Sequence, residues 1–177
     1  MSILEFLARR RAAEQAASDT DTVRRIVASL DRLEPDRARY IAAFAYILAR
    51  VALADRLISH EETRAMENLV VRHGGLTEEQ AILVVQIAKS QTQIFGGTED
   101  FLVTREFEQV ATHDQKLALV DCLFAVSAAA NGIDTVEDNE IRRIALELKI
   151  PHDEYIRVRV AHRGELNVLR EPPREDG

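Results

Sequence analysis

The chain has 177 residues, 46% of them hydrophobic and 30% charged, with a formal net charge of −7 from 30 acids against 23 bases. That is enough chain to bury one sizeable core without staples, and the composition is too apolar for disorder. Bases scattered among an excess of acids repel polyanions, which argues against nucleic acid as a partner, and the lone cysteine, Cys122, permits no intramolecular disulfide and fits a reducing cytoplasm.

The first residues read MSILEFLARRR. Bases follow a very short apolar run, the reverse of a secretory signal. Ile3, Leu4, Phe6 and Leu7 ahead of Arg9, Arg10 and Arg11 allow at most a weak amphipathic membrane anchor, and a short helix over residues 4–17 fits the same spacing. A second helix is expected over about 20–32, and Pro35 separates it from one over about 37–54. The most apolar stretch, residues 40–54, carries Arg50 and falls short of the roughly 20 apolar residues of a membrane span. A soluble protein is expected.

The next residues, ADRLISHEE at 54–62, have a counterpart in AANGIDTVE at 129–137. Each follows an Ala-rich apolar run and enters an amphipathic helix. Ser59 with Glu62, Thr77 with Gln80, Thr112 with Gln115 and Asp134 with Glu137 pair a capping residue with Glu or Gln three places on. Helices are therefore expected over about 60–73, 78–94, 99–111, 114–130, 136–148 and 152–163. Gly74-Gly75 and Gly96-Gly97 act as stops. Met66, Leu69 and Val70, and again Leu117, Val120 and Phe124, keep helical spacing, and no stretch alternates with a two-residue period. Each apolar-rich helix precedes an amphipathic one. The fold class is thus all-α: a single bundle of seven or eight helices, two of them central and nearly enclosed.

An offset of 75 aligns the chain with itself without a gap: Leu48 with Leu123, Val51 with Val126, Ala54 with Ala129, Ile58 with Ile133, Glu62 with Glu137, Met66 with Ile141 and Leu69 with Ile144. This register predicts a pseudo-twofold repeat in which Ile58 and Ile133 plug the core at matching turns. The organisation read from it is an N-terminal helical extension over 1–36 and a helical domain over 37–163. The two repeats lie at about 38–92 and 113–163, and a loose polar tail covers 164–177.

ALADRLISHEE, and the second copy running into GIDTVEDNEIRRIALEL, resemble the TerB-like tellurite-resistance family over about residues 38–163. It is especially like the bacterial branch whose second repeat ends in an Ile-Arg-Arg-Ile helix, matched here by Ile141-Arg142-Arg143-Ile144. The resemblance implies an all-helical, cytoplasmic bacterial protein, linked to stress or metal-oxyanion response and without a catalytic reaction. The family's repeats usually carry an Ala-Asp-Gly turn, and its acidic residues are suspected of holding a divalent cation. This chain keeps Asp55 but has Arg56 at the Gly position, and its second turn has Ala130 and Asn131 at the Asp and Gly positions. Asn131 tolerates the left-handed conformation, while loss of the second Asp removes one charge from any twofold site.

Neither turn is an EF hand. Counted from Asp55, positions three, six and twelve are Leu57, His60 and Met66, and from Asp134 positions six and twelve are Asn139 and Ala145. A looser carboxylate site remains, with Asp55, Glu61 and Glu62 facing Asp134, Glu137 and Asp138 across the twofold. Such a set suits a hard cation, Ca²⁺ or Mg²⁺. The competing reading makes Glu62 and Glu137 helix caps, which leaves Asp55 as the acid without a structural role. The corresponding function is an interaction module that recruits a protein partner.

The five histidines, His60, His73, His113, His152 and His162, lack zinc-site spacing and read as surface or helix-end residues. His113 stands too far along its helix from Cys122 to activate it as a nucleophile, and Cys122 reads as core. Asp121 interrupts the apolar run LALVDCLFAV, and a cationic partner is expected for it, with Arg50 as the candidate. Arg157, Arg159, His162 and Arg163 read as a solvated basic helix end.

Overall fold

The computed structural model describes residues 21, 24–52, 59–91 and 100–166. Asp55, Ile58, the Gly96-Gly97 stop and the expected helix over 4–17 lie outside the described residues, as does the tail from 167 onward. Residues 24–30 are helical, α1. After it come α2 (Pro35–Ala52), α3 (His60–Gly74), α4 (Glu78–Gln91), α5 (Asp100–Val110), α6 (His113–Asn131), α7 (Thr135–Glu147) and α8 (His152–Ala161). A 3₁₀ turn follows at Arg163–Glu165. Among the described residues there is no strand beyond an isolated parallel bridge between Ile133 and Leu166. No helix among them is long and apolar enough to cross a membrane.

Two helices are apolar on nearly every face, and they form the centre. In α2, Tyr40, Ile41 and every residue from Ala43 to Ala49 are buried. In α6, every residue from Leu119 to Ser127 is buried except Asp121. A helix buried all round must have neighbours on all sides. For α2 the main ones are α4 and α5, and for α6 they are α3, α7 and α8. The amphipathic helices give only a stripe to this centre: Met66 and Val70 from α3, Ile141, Ile144 and Ala145 from α7.

The 75-residue register is visible in burial. Leu48 and Leu123 are both fully enclosed, Val51 and Val126 are buried alike, and so are Met66 and Ile141. The packing is less symmetric than the register. Helix α3 lies along α6, whereas its repeat mate α7 meets α2 only at an edge, and α5 packs closely on α2. Leu69 is consequently half-buried where its mate Ile144 is fully enclosed.

Local sequence explains the helix ends. Ser59 Oγ accepts from the Glu62 N–H, and Thr112 and Asp134 serve Gln115 and Glu137 in the same way, each with the reciprocal bond of a capping box. Thr77 and Gln80 make the same pair of contacts at 3.3 and 3.5 Å. The two glycines that end α3 do different work. Gly75 holds φ at 65°, the left-handed C-cap. A Cβ on Gly74 would meet Phe44 Cζ at 2.9 Å, so its bare backbone leaves room for the Phe44 ring. In the second repeat positive φ falls on Gly132, at 79°, and on Lys149, at 58°, while Asn131 stays helical as the last residue of α6. The left-handed conformation that Asn131 would tolerate is not used, and the turn instead places Gly132, with ψ at 168°, in a region open essentially to glycine alone.

Candidate functional site

Two acidic turns open α3 and α7. In the described part of the first, Glu62 reaches back so that its Oε2 accepts the Ser59 N–H at 2.7 Å. Thr63 Oγ1 donates to the Ser59 carbonyl at 2.8 Å and accepts from Lys89 Nζ at 3.1 Å. In the second, Glu137 Oε2 accepts the Asp134 N–H at 3.0 Å and Asp134 Oδ1 accepts the Glu137 N–H at 2.7 Å. Both glutamates and Asp134 thus satisfy helix N–H groups that would otherwise have no partner. Glu61 is exposed one residue before Glu62. Asp138 is turned away to Arg159, which grips it with Nε at 2.9 Å and Nη2 at 2.7 Å. Among the described residues no group of three or more His, Cys, Asp or Glu is placed to hold a metal ion.

Beside the first cap a groove opens between the end of α2, α3 and the end of α6. Ala52, Ala65, Met66, Leu69, Val126 and Ala129 line it with Glu62 at the cap, and its volume is about 110 Å³. Small side chains on both walls keep it open: Ala65 stands where the second repeat has Glu140 and Ala129 lies one turn beyond Ala125, the mate of Arg50.

At Arg50 itself lie the most buried ion pairs among the described residues. The Arg50 side chain, 5% exposed, points to α5 and α7, not to Asp121. Its Nε donates to Glu140 Oε1, and its Nη1 donates to Thr104 Oγ1 at 3.1 Å and to Glu147 Oε2 at 3.3 Å. Burial alone would favour the neutral guanidine. The Glu147 and Glu140 carboxylates outweigh it and raise the pKa of Arg50 further.

Asp121 is held by histidines. His73 Nδ1, from the last turn of α3, lies 2.6 Å from Asp121 Oδ2, and His162 Nε2, just past α8, lies 2.6 Å from Asp121 Oδ1. The His162 ring also stacks on Phe124, centroids 5.6 Å apart at 20°. Burial pushes the Asp121 carboxyl upward, but hydrogen bonds from His162 and His73 and their charge prevail and lower its pKa. The ionised carboxylate only accepts, so both ring nitrogens facing it are donors. The expected Arg50 partner is therefore replaced by two imidazoles, and neither His73 nor His162 is a bare surface residue. Their side chains are 31% and 13% exposed. The reason is geometric: Arg50 points to α5 and α7, whereas Asp121 meets the last turn of α3 and the residue just past α8. The apolar run around Asp121 signalled that a partner must exist, but sequence spacing could not say which.

The basic end is also tied down, through Arg159 to Asp138, His162 to Asp121, and Arg157 to Asp153 at 3.5 Å. His113 faces Glu154 at 2.5 Å, not Cys122. Cys122 is fully buried, and burial followed by the nearby Asp121 charge pushes its thiol far up, so it stays protonated. Ile133 is 1% exposed, as expected of a plug. Its N–H donates to the Glu165 carbonyl at 2.8 Å, and Leu166, the next residue, is equally buried.

Set against known proteins, residues 40–160 match the family model described as tellurite resistance protein TerB. No curated protein and no solved structure gives a significant match.

Proposed function

Because the chain belongs to the TerB family, we propose that it is a bacterial, cytoplasmic stress-response module that works by binding and not by catalysis, and that its ligand is a protein partner. The observation that carries this reading is the employment of Glu62 and Glu137 as caps at the two matched turns. Each already serves its own helix start, and Asp138 serves Arg159, so a carboxylate cluster across the twofold would compete with three existing contacts. The apolar groove beside the Ser59–Glu62 cap supplies a concave surface for a partner's side chain. Link to tellurite or other metal oxyanions rests on the family alone.

A second reading, a Ca²⁺ or Mg²⁺ site centred on Asp55 and Glu61 with Glu62, is favoured by one observation: Glu61 is exposed beside a helix N-terminus that already holds one carboxylate. Thermal unfolding of the chelator-treated protein, with and without millimolar Ca²⁺, Mg²⁺, Mn²⁺ or Zn²⁺, separates the two. The interaction reading expects a Tm indifferent to each cation. A cation at about 100 times its Kd would add roughly 2.7 kcal/mol, or several degrees. A shift of that size, lost in Asp55→Ala, would replace the interaction reading with the cation one.

A further inference from the structure

Helix α8 is attached to the bundle more by polar clasps than by an apolar face. Tyr155 is its one buried residue and Val158 is half-buried against the core, while Ile156 and Val160 are 36% and 50% exposed. Its N-cap position is Pro151, which offers no side-chain cap. Three polar contacts, one of them the Arg159–Asp138 ion pair, are spread along it. Glu154 in the first turn meets His113 at 2.5 Å, Arg159 in the last turn grips Asp138 of α7 with two bonds, and His162 just beyond meets Asp121 of α6 at 2.6 Å. Leu166 then seats beside Ile133.

We propose that α8 and the 163–166 segment form a lid, fastened by these three clasps, that opens as a unit separately from the rest of the bundle. Its opening bares the Phe124 ring, on which both Tyr155 and His162 lie, and the Ile133 plug. The physical basis is the contrast with the central helices. Salt screens exposed charges most and partly buried pairs less, and it leaves apolar burial intact, so a helix held by partly exposed polar clasps loosens modestly in salt while α2 and α6 do not. Segments with few apolar contacts open at lower free energy than the core. The lid holds for a protein ligand and for a cation at Asp55, Glu61 and Glu62, since none of its clasps uses those residues, whereas a cation shared across the twofold would compete with Arg159 for Asp138.

Hydrogen exchange of the full chain, read by mass spectrometry at about 50 mM and about 500 mM NaCl, tests it. Amides of 152–161 are expected to exchange about two- to threefold faster at high salt, with those of α6 unchanged. At low salt Arg159→Gln should loosen the same segment, and Arg159→Lys, which keeps the charge but not the two-bond grip, should fall between. Equal exchange of 152–161 at both salts, or equal acceleration of α6 and α8, would overturn the proposal. Should Arg159→Gln fail to fold, the salt series on the unaltered chain still decides.

Discussion

Replacing Arg50 tests the energetics of the bundle most directly. Its guanidinium is the cation between Glu140 and Glu147, whose side chains are 24% and 17% exposed. Arg50→Met keeps most of the apolar stem and removes the charge, leaving two partly buried carboxylates together and removing the Arg50 donor from Thr104. Breaking a buried pair in this way costs about 3–5 kcal/mol. Arg143 approaches the same acids, 3.1 Å from Glu140 and 3.7 Å from Glu147, and can offset part of the loss, although it is largely exposed. The expectation is therefore the low end, about 3 kcal/mol, or roughly 6–12 °C in Tm for a chain of this size. Urea unfolding followed by far-UV circular dichroism measures it. Adding Glu140→Gln and Glu147→Gln to Arg50→Met should recover most of the loss, because the whole network, unlike half of it, can be removed cheaply. A single Arg50→Met variant within about 0.5 kcal/mol of the parent would refute the reasoning.

Two further predictions follow from local geometry and charge. Gly74→Ala should destabilise by about 1–2 kcal/mol despite alanine's better helix propensity, because its Cβ meets the fully buried Phe44 ring, itself packed against Tyr40 and Phe107. An unchanged or higher urea midpoint would show that the ring yields. The lowered pKa of Asp121 means that its pairing stabilises the fold in full above the unfolded carboxyl value of about 4 and is lost as pH falls through the lower folded value. Asp121→Asn should therefore cost about 1–2 kcal/mol at neutral pH, discounted for partial exposure. The gap to the parent should narrow in acid, and a gap constant from neutral pH to about pH 2 would rule the linkage out.

What the sequence by itself determined is local or periodic. Capping boxes join residues three apart, so Ser59, Thr112 and Asp134 mark their helix starts without any tertiary knowledge. A run that is apolar on every face, as in α2 and α6, can only be central, and the 75-residue register identifies mates such as Leu48 and Leu123 before any contact is known. The same local logic accounts for Glu62 and Glu137 as caps. Tertiary structure alone decided which charges meet. Arg50 and its two glutamates are 90 and 97 residues apart, and Asp121 is 48 and 41 residues from His73 and His162. Such pairings depend on how helices cross and which faces then oppose each other. Hydrophobic periodicity specifies the buried stripe of each helix, but not the rotation and offset that bring one polar side chain opposite another. For that reason the need for a partner at Asp121 was legible in LALVDCLFAV, while the two imidazoles that answer it emerged only when α3, α6 and the end of α8 came together.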